Sequence, residues 1–111
     1  MSSTRLCALD DIENTESAGM EAEIDGRPHP LILVRRGETV YAYINSCPHI
    51  GAPLDFKPGW FLTLDKSMIN CANHGAHFRI EDGLCVAGPC VGKSLKHVSV
   101  SVRDGAVYLD A

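Results

Sequence analysis

Basic residues are scarce in this chain of 111 residues, ten Lys and Arg against fourteen Asp and Glu, a formal charge of −4. No stretch gathers them into a stripe, so a surface that tracks a phosphate backbone is excluded, and nucleic acid with it. Long apolar runs are missing too: nowhere do 18 uninterrupted apolar residues occur. The opening MSSTRLCALDDIENTE has neither a basic start with an apolar core nor a small-residue cleavage pattern. No membrane association is therefore expected, and the setting is expected to be cytoplasmic. In that reducing compartment the odd set of five cysteines (Cys7, Cys47, Cys71, Cys85, Cys90) reads as metal ligands or thiols, not as a disulfide framework. The length suits one domain with one core of moderate size, and no second, catalytic domain is expected.

Helical periodicity is also lacking, except around residues 9–13. What is present is a series of short β-prone runs punctuated by Gly, Asp and Pro. Residues 20–24 run into Asp25-Gly26, residues 31–34 into Arg35-Arg36-Gly37, and TVYAYI alternates before stopping at Asn45-Ser46. Near the other end HVSVSVR alternates strictly, with Val98, Val100 and Val102 on one face, and Asp104-Gly105 joins it to residues 106–109 as a hairpin. The fold class is all-β. Residues 46–92 differ from both flanks, holding four of the six prolines, four of the five cysteines and three of the five histidines. They read as a loop-bearing subdomain inserted in an antiparallel β scaffold.

Two Cys/His pairs lie in that region. SCPHIG places Cys47 and His49 two positions apart, and NCANHGAHFR places Cys71 and His74 three apart with Gly75 behind them. Thiolate is soft and imidazole borderline, so the donors suit zinc or an iron–sulfur cluster better than calcium or magnesium. A two-Cys, two-His zinc finger pairs like with like, whereas here each loop carries one of each. Such mixed loops suit a two-iron site in which one iron gains two thiolates and the other two imidazoles.

At these residues the sequence resembles the Rieske family of 2Fe-2S proteins, whose signature is C-x-H followed by C-x-x-H. Here 21 residues separate His49 from Cys71. The likeness extends from CPHIGAPL through NCANHGAHF to AGPCVGKSL and covers most of the chain, residues 1–111 forming one Rieske domain with 46–92 as its cluster-binding part. The resemblance implies one 2Fe-2S cluster, with Cys47 and Cys71 on the inner iron and His49 and His74 on the outer. It also implies that Gly88-Pro89 covers the cluster. Amides around Ile50, Gly51, Gly75 and Ala76 are expected to donate to its sulfurs, since glycine lets the backbone come that close.

Departures from the family's high-potential branch matter as much. Ala52 and Asn73 stand where that branch has disulfide-forming cysteines, and Ala76 and Phe78 where it aims serine and tyrosine hydroxyls at sulfur. A potential toward roughly −150 mV, not +300 mV, is expected. The implied function is a soluble electron carrier between a flavin reductase and a terminal oxygenase, without a catalytic site of its own. His29, His77 and His97 are expected on strands or the surface. The alternatives are a small Rieske subunit of a larger redox enzyme and a zinc-stabilised binding module. Trp60 and Phe61 are expected to anchor the long connection, Cys85 and Cys90 to be small buried residues, with a bridge or redox-sensitive thiols as the alternatives, and Cys7 to lie on a strand face.

Overall fold

The computed structural model describes residues 3–13, 16–24, 26–46, 61–63, 67–71, 75–88 and 91–110. Ten antiparallel strands are formed among them: β1 (Ser3–Ala8), β2 (Ser17–Ile24), β3 (Arg27–Arg36), β4 (Thr39–Ile44), β5 (Met68–Cys71), β6 (Ala76–Arg79), β7 (Cys85–Ala87), β8 (His97–Val98), β9 (Val100–Arg103) and β10 (Ala106–Asp110). They make three sheets, in the orders β1-β10-β9, β2-β3-β4-β8 and β5-β6-β7. No described helix is long and apolar enough to cross a membrane. The helical hint at residues 9–13 is a single 3-10 turn, Leu9–Asp11.

The organising element is β3. Its run Leu31-Ile32-Leu33-Val34 is buried without a break, and because side chains alternate, it serves two cores. Leu31 and Leu33 join Leu9, Ile12, Val40, Ala42, Val98, Val107 and Leu109 in one cluster, shared with the β1-β10-β9 sheet. Ile32 and Val34 turn the other way and join Tyr43, Phe61, Ile69, Cys71, Ala76, Phe78, Ile80, Cys85 and Leu95, shared with the β5-β6-β7 sheet. The middle sheet is therefore covered on both faces. Pro28 and Pro30 sit where β3 pairs only with β2, since its ladder to β4 begins at Leu31 opposite Ile44. Proline, which has no amide hydrogen, is tolerated on such an edge.

The last expected hairpin is present: Asp104 and Gly105 both have positive φ, 51° and 72°, as a tight two-residue turn between β9 and β10 requires. The alternating run before it departs from expectation. It is two strands, β8 pairing with β4 in the middle sheet and β9 with β10 in another. Val98, Val100 and Val102 nevertheless all pack on the same cluster, so the shared face and the hairpin partner of residues 100–103 were read correctly, and only the pairing of residues 97–98 with β4 was not. The N-terminal turn is held by Arg35, whose guanidinium donates to the carbonyls of Leu9 (3.3 Å), Ile12 (2.9 Å) and Gly37 (2.7 Å). Cys7 lies on β1 half-buried against the first cluster, and burial raises its thiol pKa, with Asp11 adding to the effect.

Candidate functional site

The described part of the site is built on the β5–β6 hairpin. Ile69, Cys71, Ala76 and Phe78 are β-strand residues whose side chains are fully buried in the second core cluster, and the register sets Ile69 opposite Phe78 and Cys71 opposite Ala76. Cys71 is thus the last residue of β5, its side chain shielded from water at the mouth of the turn. The chain returns through Gly75, whose φ of +68° suits glycine and whose amide donates to the Cys71 carbonyl at 2.9 Å. That donation corrects the expectation that the Gly75 amide is directed at sulfur: its hydrogen closes the hairpin. Residues 61–63 run beside β5, with the Asn70 amide on the Phe61 carbonyl at 2.6 Å and the Thr63 amide on that of Met68 at 2.9 Å. Phe61 is fully buried and does anchor the connection, its ring lying under Gly19 of β2, where a Cβ would come within 3.1 Å.

Behind the hairpin stands Tyr43 of β4. Its hydroxyl donates to the Ile80 carbonyl at 2.6 Å, its ring meets the exposed His97 edge-on with centroids 5.7 Å apart, and burial followed by the Asp82, Glu81 and Tyr41 charges pushes its pKa up to about 12. Gly83 packs against that ring so closely that a Cβ would lie 2.8 Å from it. The turn between β6 and β7 is stapled by Asp82, which accepts from the Arg79 guanidinium and from the Leu84 amide; these bonds, Arg79 first, hold its carboxyl below the usual range.

The sheet continues into β7, which pairs with β6 (Phe78 opposite Cys85, His77 opposite Ala87) and is met from the other side by residues 91–94. The two segments meet at a neck closed by Cys85, whose amide donates to the Lys93 carbonyl at 2.8 Å, whose carbonyl accepts from Gly92 at 3.3 Å and whose buried thiol donates to the Ala87 carbonyl at 3.1 Å. Beyond the neck Gly88, at φ +96°, comes so near Ala76 that a Cβ there would stand 2.7 Å from the Ala76 Cα. Cys85 is thus one of the buried thiols expected; its role in closing the neck was illegible in the sequence because the bond joins two backbone groups, whose pairing no side-chain pattern reports. The chain leading into Cys47 is fixed as far as Asn45 and Ser46, whose amides donate to Pro30 (2.9 Å) and Ile44 (2.8 Å) carbonyls.

Of the four expected ligands, Cys71 is described. Cys47, His49 and His74 lie outside the described residues, as do Pro48, Ile50, Gly51, Ala52, Leu54, Trp60, Asn73, Pro89 and Cys90. His29, His77 and His97 fall on β3, β6 and β8.

A fully buried thiol at a hairpin mouth is an arrangement that fits a metal–sulfur group. The sequence matches the description Rieske [2Fe-2S] domain over residues 2–104. The chain belongs to this family. Ferredoxin CarAc of Metapseudomonas resinovorans is 34% identical over 80 residues, covering 72% of this chain and 69% of that protein. Among solved structures, the ferredoxin of carbazole 1,9a-dioxygenase from Nocardioides aromaticivorans IC177 superposes with a TM-score of 0.76 at 26% identity, covering 98% of this chain and 97% of that one. A ferredoxin solved with reduced oxygenase in carbazole 1,9a-dioxygenase gives 0.74 at 29% identity, with coverages of 96% and 91%. This Rieske chain carries one 2Fe-2S cluster, and the all-β antiparallel fold read from its sequence is the fold of these ferredoxins. Cys71 supplies a donor of the right softness in a water-shielded position, so the described residues fit such a cluster.

Proposed function

We propose that this chain is a one-electron carrier that accepts its electron from a flavin reductase and delivers it to a terminal oxygenase, its 2Fe-2S cluster held by Cys47, His49, Cys71 and His74. The observation that carries the reading is the placement of Cys71, a fully buried thiol at the mouth of a hairpin, in a chain whose relatives are ferredoxins and one of whose structural neighbours was solved with its oxygenase. The cluster, when bound, supplies a reversible one-electron centre at a potential set by its ligands, hydrogen bonds and exposure.

The chain's own residues do the rest. By the family's pattern Cys47 and Cys71 hold the inner iron and His49 and His74 the outer. Cys71, backed by Phe78, Ile69 and Ile32, keeps one side of the site dry. Electron carriage without a catalytic site of its own, in the cytoplasm, is the finer reading. His29 and His97 on one sheet and His77 on another offer no facial set for a mononuclear iron. Residues 1–111 act as a single Rieske domain, with 46–92 as its cluster-binding part.

The test is metal and acid-labile sulfide content of protein purified without oxygen, together with the variant Cys71→Ser. About two irons and two sulfides per wild-type chain, lost in the variant, are expected. About one zinc without sulfide would make the four residues a structural clip and end the electron-transfer reading.

A further inference from the structure

We infer that Tyr43 is a positioning residue: its hydroxyl locks the sheet that carries Cys71 against the strand that leads into Cys47, and so fixes how the two thiolates stand to each other. The inference rests on the proposed ligation by those cysteines. β4 ends at Ile44, from which the chain runs through Asn45 and Ser46 into Cys47, and Cys71 is the last residue of β5. The two strands belong to different sheets, and among the described residues no ladder joins those sheets. Packing joins them instead, where Ile32, Val34 and Tyr43 of one meet Ile69, Cys71 and Phe78 of the other. Apolar burial is non-directional, so it resists the parting of the sheets better than it resists their sliding.

Within that packing Tyr43 supplies a directional tie. Its hydroxyl donates to the Ile80 carbonyl at 2.6 Å, one residue past the end of β6. The receiving turn holds its own shape: the Gly83 amide donates to the Arg79 carbonyl at 2.8 Å, the Arg79 amide to the Leu84 carbonyl at 2.9 Å, and the Leu84 amide to the Asp82 carboxylate at 3.0 Å. Gly83 also seats the phenol ring, since a Cβ there would stand 2.8 Å from it. The Leu95 amide, donating to the Gly83 carbonyl at 2.9 Å, ties the same turn to the approach to β8; the Tyr43 bond is the tie that reaches β4. From the turn the β5–β6 ladder runs without a break, Arg79 opposite Met68 through to Ala76 opposite Cys71. Removing the hydroxyl therefore leaves turn, ladder and ring in place and frees one sheet to slide on the other. A cluster held from both sheets is then held less well, because metal retention follows the precision with which ligands are oriented.

The first test sets Tyr43→Phe against Leu33→Ala in the loaded protein. Leu33 lies in the other core, and its truncation is expected to lower the thermal midpoint more than loss of one hydroxyl does. Iron release to a chelator should run in the opposite order, several-fold faster than wild type in Tyr43→Phe and at the wild-type rate in Leu33→Ala. The electron paramagnetic resonance of reduced Tyr43→Phe should also broaden, as a spread of ligand geometries requires. Release that simply follows the thermal midpoint, with Leu33→Ala the faster, overturns the inference. A second pair presses on the same tie from the turn. Gly83 and Gly105 have φ of +71° and +72°, so alanine meets the same left-handed strain at both, but a Cβ at 105 would meet nothing within 4 Å. Quickened release is expected from Gly83→Ala alone, and equal rates in the two count against the role of Tyr43; should Gly83→Ala fail to load, the first comparison decides. Wild-type protein that holds zinc and no sulfide removes the ligation reading itself, whereas wild-type protein with its cluster, and release that tracks stability, removes only the role of Tyr43.

Discussion

The two faces of the middle sheet differ in kind. Toward β1, β9 and β10 the buried residues are Leu, Ile, Val and Ala, packed between regular ladders. Toward β5, β6 and β7 they include three aromatics and two cysteines, and glycine is used where backbone must come close: Gly19 over Phe61, Gly83 against Tyr43, Gly88 on Ala76. The first face needs only hydrophobic residues of suitable volume in alternation, which many sequences satisfy. The second needs particular residues at particular contacts, because it positions a site. Adjacent residues of β3 allow the comparison to be broken by single substitutions.

Ile32 and Leu33 are both fully buried, one per face. Ile32→Ala and Leu33→Ala are each expected to cost about 2–5 kcal/mol of stability, read from denaturant midpoints. Their consequences for the site should diverge. Leu33→Ala leaves the potential of the folded, loaded protein unchanged, whereas Ile32→Ala, which loosens the cluster containing Cys71, shifts it and speeds iron loss. Equal behaviour of the site in the two variants would mean that the faces are mechanically one body.

Much of the first face was legible in the sequence. Turn residues bounded β2, β3 and β4, and alternation marked β4 and the β9–β10 hairpin, since a strand with one buried face advertises its period locally, whereas β3 showed as a short unbroken apolar run. The second face was legible only in part. NCANHGAHFR announced its ligands, but not that Asn70 and Cys71 end one strand and Ala76 to Arg79 form the next, because four-residue strands are too short to show a period. The division of HVSVSVR between two sheets was invisible, since alternation is the same whichever strand pairs with it. Contacts such as Gly88 on Ala76 depend on chain segments far apart in sequence, and a glycine in AGPC reads as a turn until its neighbour is known.

Tyr43 permits a smaller, titratable break. Its hydroxyl bonds the Ile80 carbonyl in buried surroundings, so Tyr43→Phe leaves that carbonyl without this donor and is expected to cost about 1–3 kcal/mol near neutral pH. The native state holds the phenolic proton up to about pH 12, while an unfolded tyrosine releases it near 10. Between those values the unfolded state binds fewer protons, so this contribution is complete below pH 10 and is lost as pH rises toward 12. The loss amounts to about 2–3 kcal/mol. Stability curves of wild type and Tyr43→Phe should accordingly converge over that window. Parallel curves would show that the phenol keeps an ordinary pKa in the fold.

The smallest expected effect addresses the potential with the scaffold untouched. Ala76 faces Cys71 directly across the β5–β6 ladder, and paired residues there have Cβ atoms about 4.5–5.5 Å apart. A hydroxyl introduced by Ala76→Ser therefore stands within reach of the Cys71 sulfur. A donor beside a thiolate favours the more negative, reduced state of whatever that thiolate binds. If the bond strengthens by about 1 kcal/mol on reduction, the midpoint rises by about 40 mV for a one-electron couple. Iron release should stay at the wild-type rate, since a bond is added and the Gly88 contact on the Ala76 backbone is kept. That combination separates donation from opening: a raised potential with quickened release would assign the change to water entering the site, and an unchanged potential would place the new hydroxyl away from the sulfur.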